Sequence, residues 1–153
     1  MGKKAIWGLL LLVPLCILWF LFRSLYIMET SEMEPSIPKG TWMLVDRGAY
    51  DERPPRIGEV VMCHNYKMDA PAAKRVMAVG GTSIALFHGD VYINGHLLSE
   101  HYITGSVGVD FPDTPVPEGK IFVLNDRRNL NSDSRSFGLI RQEDIIGRVV
   151  LIY

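Results

Sequence analysis

A mainly β protein with a single N-terminal transmembrane helix ahead of an antiparallel β domain is the class this sequence predicts, on three observations. Residues 5–22 (AIWGLLLLVPLCILWFLF) run without a charge. Beyond them, short stretches rich in Val, Ile, Tyr and Phe alternate with Gly, Pro, Asn and Asp, the pattern of strands and turns. Between two of those stretches stands Asn94-Gly95, a strong signal for a two-residue hairpin because both positions tolerate positive φ. A chain of 153 residues has room for one globular domain beside an anchor. The expected division is a cytoplasmic tail at 1–4, an anchor at 5–22 and a β domain at 24–153, with a variable β insertion over 82–120 carrying the hairpin.

Taken in order, the apolar run comes first. Eighteen residues make a helix of about 27 Å, close to the ~30 Å apolar thickness of a bilayer. The run is followed by RSLYIM rather than by the small residues of a cleavage site, which favours an uncleaved anchor over a removed signal. Pro14 is tolerated where neighbouring groups satisfy the freed carbonyl. Lys3 and Lys4 precede the run and Arg23 follows it, so the N-terminus is expected in the cytoplasm and the domain outside, at a cell (inner) membrane crossed once. Trp7 and Trp19 suit the two interfaces; Trp42 suits either the core or the bilayer surface. The strands expected next are 42–46 (WMLVD), 58–64 (GEVVMCH), 73–79 (AKRVMAV), 90–98 (DVYINGHLL), 120–126 (KIFVLND) and 147–153 (GRVVLIY). DERPPR at 51–56 and DFPDTPVPEG at 110–119 read as proline-rich connections, and 142–146 as a helical turn at most.

Several functions are disfavoured by composition. From Ser24 onward acidic residues outnumber basic ones by 17 to 13, which is no footprint for nucleic acid. Cys16 lies in the anchor and Cys63 far beyond it, so no internal disulfide is expected. No Cys/His grouping has zinc spacing, and no metal or other cofactor is expected. His64, His88, His96 and His101 are scattered, and none is placed to complete a Ser/His triad.

Four segments carry the chemistry, in this order: the loop MEPSIPKG directly after the anchor, RIGEVVMC, a lysine within AKRVMAVGG, and NDRRNLNSDSRSFG near the C-terminus. Together they resemble the type I signal peptidases, membrane-anchored serine proteases that use a Ser/Lys dyad to remove signal peptides. The resemblance covers nearly the whole chain and implies a signal-peptidase-like antiparallel β domain on the outer face of the membrane, acting on signal-peptide-bearing precursor proteins beside the lipid bilayer. It makes Lys74 the general base. A lysine can take a serine's proton only when neutral, whereas free lysine, with a pKa of about 10.4, is charged at pH 7; apolar walls from Val76, Ala78 and Val79 would favour the neutral amine. Arg75, next along the strand, should face the other way.

The nucleophile admits more than one register. In the family pattern the serine is followed by Met, any residue, Pro and Ser or Thr, with Gly eight positions on. Met33, Pro35, Ser36 and Gly40 then place Glu32 at the nucleophile position, where no acyl-enzyme can form by the family's route. SIPKGTW also resembles the loop of the peptidases that mature conjugative pilins, in which Pro38, Gly40 and Trp42 follow Ser36 as nucleophile. Ser31 is adjacent to Glu32, but one residue of slip turns a side chain to the other face. In the last segment the family serine falls on Asn131 unless a one-residue shift brings in Ser132. Asp133 and Arg135 are expected to pair in support of the site, with Ser134 beside them; Gly80-Gly81-Thr82 replaces the usual Pro-Gly-Asp. Met33 and Ile37 are candidates to line the substrate pocket. Two functions follow: an endopeptidase for secreted or pilin-type precursors, or a catalytically silent, membrane-tethered binding module.

Overall fold

The computed structural model describes residues 24–64, 70–103 and 108–152. The anchor expected over 5–22 lies outside them, and no helix among the described residues is long and apolar enough to cross a membrane.

Eleven strands form two sheets in which every pairing is antiparallel. In chain order they are β1 (Leu25–Ile27), β2 (Trp42–Asp46), β3 (Val60–Cys63), β4 (Ala72–Val79), β5 (Ser83–Phe87), β6 (Asp90–Ile93), β7 (His96–Leu97), β8 (Phe111–Pro115), β9 (Lys120–Leu124), β10 (Ile140–Arg141) and β11 (Ile145–Ile152). One short helix, α1 (Ser134–Phe137), and a 3-10 turn (Gln142–Asp144) complete the described elements. The larger sheet has the order β1-β2-β11-β3-β4-β9-β10, and the smaller β7-β6-β5-β8.

Seven of these strands lie within or on the six stretches expected from Val, Ile, Tyr and Phe content. The hairpin stands at Asn94-Gly95, with φ of 50° and 78°, joining β6 to β7 through the pair Ile93–His96. One expectation is corrected: residues 111–115 are strand β8 and not an irregular connection. β8 is an edge strand paired only with β5, and an edge tolerates Pro112 and Pro115 because their missing N–H groups face no partner.

Three apolar clusters hold the sheets. Met77, Ala78, Phe122 and Leu124 pack against Ile84, Leu86 and Val91 of the smaller sheet. Val61, Val76, Ile121 and Val123 pack with Phe137 of α1. Met33 and Ile37, from the loop between β1 and β2, pack on Met43, Val45, Met62 and Ala73. That last cluster fixes the loop against β4. β11 runs between β2 and β3 and approaches β2 so closely that a Cβ on Gly147 would stand 2.4 Å from the Asp46 carbonyl oxygen.

Candidate active site

Lys74 sits in the middle of β4, opposite Val61 of β3, and is fully buried. A buried ammonium is costly unless its donors find acceptors. Two are supplied. Nζ donates to Glu32 Oε2 at 2.7 Å and to Asn125 Oδ1 at 2.7 Å. Glu32 comes from the β1–β2 loop and Asn125 from the end of β9, so three separate segments converge on one amine.

The loop is held firmly enough to deliver that carboxylate. Met28 N–H donates to Thr41 O and Gly40 N–H to Met28 O, closing the loop at its base, while Ile37 N–H donates to Met33 O within it. Arg127 N–H donates to the Glu32 carbonyl at 3.0 Å. The Glu32 side chain is 9% exposed and accepts further bonds from Thr30 Oγ1 at 3.2 Å and from the Ser132 hydroxyl. Burial alone pushes its carboxyl up; the Lys74 and Ser132 bonds, the Lys74 charge and Thr30 together outweigh this and hold the group below its ordinary 4.5.

Directions within the cluster are forced. An ammonium is a donor only and a carboxylate an acceptor only. Asn125 must therefore turn its oxygen to Lys74, which aims its Nδ2 at Ser132 Oγ (3.2 Å) and Leu130 O (3.3 Å). Ser132 accepts from Asn125 and donates its own proton to Glu32.

The other candidate residues are distributed as follows. Ser36 Oγ accepts from Arg75 Nη2 at 3.3 Å, and neither it nor Ser31 is bonded to Lys74 among the described residues. Ser31 accepts through its carbonyl from Glu34 N–H. Met33 and Ile37, candidates for a substrate pocket, have no exposed surface; they anchor the loop from below. Asp133 is completely buried, binds Arg135 through both carboxylate oxygens at 2.8 and 2.7 Å, and accepts from Asn125 N–H at 3.1 Å. It also caps α1 by accepting from Arg135 N–H. Ser134 Oγ accepts from Val123 N–H at 3.0 Å, stitching α1 to β9. These two residues orient the turn that presents Asn125 and Ser132.

Sequence reasoning passed over Asn125 as an agent, and over the partners of Arg75. Arg75 donates to Asp126 at 2.7 and 2.5 Å and to Gly58 O at 2.8 Å. Adjacent strand residues thus serve separate partner sets, as alternation requires. Strand period would have found Arg75; nothing in spacing alone reveals that Asn125 reaches Lys74.

Beside the site lies a cavity of about 470 Å³ lined by Leu25, Ile27, Thr30, Trp42, Met62 and Ala72 among others. Thr30 belongs to both, since it bonds Glu32. Leu25, Ile27 and Trp42 are 41%, 45% and 50% exposed, and among the described residues β1 pairs with β2 alone, its other edge open.

The family model described as signal peptidase, peptidase S26, matches residues 3–153. Among similar proteins, a probable signal peptidase I-1 of Synechocystis is 30% identical over 92% of this chain and 75% of its own length. The signal peptidase I of Bacillus caldolyticus is 31% identical over 99% and 90%, and a signal peptidase IB of Staphylococcus aureus 32% identical over 81% and 74%. A crystal structure of a signal peptidase I from Enterococcus faecalis superposes with a TM-score of 0.57 at 27% identity, over 64% of this chain and 98% of that one.

Proposed function

The chain belongs to the signal peptidase family, peptidase S26, and on that premise we propose that it removes signal peptides from secreted or pilin-type precursors at the outer face of a membrane. It is a serine endopeptidase of the signal peptidase I type. The observation that carries the proposal is the continuous chain from the buried Lys74 ammonium through the Glu32 carboxylate to a serine hydroxyl, standing beside the cavity on the β1 side. A precursor segment would lie extended along the open β1 edge, main chain to main chain, with its side chains in the shallow apolar cavity. The uncharged run at 5–22 would hold the domain at the bilayer, N-terminus inside, where such precursors emerge.

A second reading is favoured by one observation. Lys74 is ion-paired with Glu32 at 2.7 Å, and an amine that holds its proton in an ion pair cannot take one from a serine. On this reading the site holds precursors without cutting them. The two readings separate in one experiment: the full chain in phospholipid vesicles is mixed with a signal-peptide-bearing precursor, followed by gel mobility and by co-flotation. Endopeptidase function predicts a shortened product from the parent, and its loss in Lys74→Ala. Flotation of intact precursor with no product at any protein concentration would favour the silent module. Protease added outside cells should digest the domain if the orientation is right.

A further inference from the structure

The serine positions expected from pattern, 31 and 36, hold hydroxyls that do not reach the centre of the site, and position 32 holds a carboxylate. Ser132 is different. It is half-buried, belongs to the turn between β9 and α1, and its hydroxyl is bonded to the carboxylate of the cluster around Lys74. Its hydrogen is aimed: Asn125 Nδ2 occupies the acceptor side at 3.2 Å, so the O–H proton faces Glu32 Oε1. A hydroxyl oriented by one neighbour and bonded to a base in turn oriented by a third group is the general arrangement of an activated nucleophile. We propose that Ser132 is the nucleophile of this protein and Glu32 its general base, with Lys74 as the cation that orients Glu32. The inference rests on the endopeptidase reading above.

The steps balance. As Ser132 Oγ bonds to the scissile carbonyl carbon, its proton passes to Glu32 Oε1 and the carbonyl oxygen becomes an oxyanion. Lys74 has three N–H donors and, among the described residues, two acceptors, so its third N–H is available to the charge that develops. Collapse breaks the C–N bond, and the departing amine takes the proton from Glu32. Water then attacks the acyl-serine, giving its proton to Glu32; collapse returns that proton to Ser132 and frees the acid. Asn125 is a positioning residue in this scheme.

Here the base is a carboxylate, so the rate rises with pH in the acid range of a carboxyl and not where a lysine titrates. Glu32 must be ionised, and the same contacts that hold its carboxyl below 4.5 keep it so at neutral pH. Lys74 from β4 is the charged group touching it; Arg127 bonds its carbonyl through the backbone and turns its guanidinium to Glu34, while Thr30, Ser132 and Asn125 are neutral. A base this weak accelerates less than one matched to neutral pH, so slow turnover is expected.

The test uses the full chain in phospholipid vesicles, a precursor and a fluorophosphonate ester that phosphonylates activated serines. Expected are phosphonylation mapped by mass spectrometry to Ser132, loss of precursor cleavage in Ser132→Ala by ~10³-fold or more, and a loss of roughly 10²–10⁴-fold in Glu32→Gln. The rate should fall as pH drops through the Glu32 carboxyl and be flat above it. Ser132→Cys, which keeps a nucleophile and the site's shape, should become sensitive to iodoacetamide, which keeps the test open if Ser132→Ala fails to fold. Cleavage that survives Ser132→Ala and vanishes in Ser36→Ala, or a rate that climbs with pH as a lysine titrates, would overturn the inference and leave the endopeptidase reading intact. A parent that floats with precursor yet neither cleaves it nor takes up the probe overturns both.

Discussion

The guanidinium carbon of Arg75 lies 3.8 Å from the centroid of the Tyr102 ring. Arg75 belongs to β4, the strand that bears Lys74; Tyr102 follows β7 on the way to β8, both strands of the smaller sheet. The ring thus covers the cation from one side, while Asp126 grips it from another at 2.5 Å. Tyr102 in turn donates its hydroxyl to Glu100 at 2.6 Å, and Glu100 is paired with buried Arg128, whose Nε donates to the Asn125 carbonyl. The two sheets are therefore tied by charge next to the site as well as by apolar packing.

That tie sets the first prediction. Asp126 has no exposed surface on its side chain, so Arg75→Met strands a buried carboxylate and should cost about 3–5 kcal/mol, read as a lower urea midpoint. The double variant Arg75→Met with Asp126→Asn should recover part of the loss, because no charge is then left unpaired. A single variant as stable as the parent would show that water reaches Asp126.

A second prediction follows from Glu32. Its carboxyl titrates lower in the folded chain than the ordinary 4.5, so folding gains from its ionisation at pH above that value and loses the gain as pH falls through the folded-state value. The stability gap between the parent and Glu32→Gln should be widest near neutral pH and should narrow below 4.5. Thermal melts from pH 3 to pH 7 would measure it. A gap that does not vary with pH would mean that the carboxyl titrates alike in both states.

Cys63 offers a third. Burial pushes its thiol from 9.0 up to about 12, and the thiolate is the reactive form. Iodoacetamide should modify Cys63 only as fast as the domain opens, with rate rising in urea. Rapid native-state modification, mapped to the Cys63 peptide, would contradict the packing of β3.

Gly147→Ala gives a fourth. A methyl group there meets the Asp46 carbonyl oxygen, a backbone atom, at 2.4 Å, and backbone cannot swing aside as a flexible side chain can. Overpacking of this kind costs about 1–3 kcal/mol. The variant should show a lower unfolding midpoint with unchanged denaturant slope.

Much of this architecture is legible in the residues because local chemistry decides it. WMLVD becomes β2 with the expected bounds since its alternation matches one buried face, and Asn94-Gly95 makes its turn whatever surrounds it. Strand β5, SIALF, lies outside the expected stretches, and the prolines of β8 speak against a strand although an edge position accommodates them. Lys74 stands out in sequence as a lysine among apolar residues. Ser132 and Asn125 do not, since whether residue 131 or 132 faces Glu32 depends on the path of the turn that Asp133 and Arg135 hold. That path is set by hydrogen bonds between groups far from one another in sequence, which no periodicity encodes.

The place of β11 between β2 and β3 governs when the site can exist. Among the described residues, the hairpin β1–β2, which carries the Glu32 loop, and the strands β3, β4 and β9, which bear Lys74 and lead into Asn125, are laddered together through β11 alone. During synthesis the hairpin emerges early and residues 145–152 about a hundred positions later, so the two halves wait unjoined for most of that interval. Pairing across such a separation is slow to form. A chain still being synthesised would thus present its lysine and its carboxylate apart, and the centre would come into being in one late step, when the strand between them arrives.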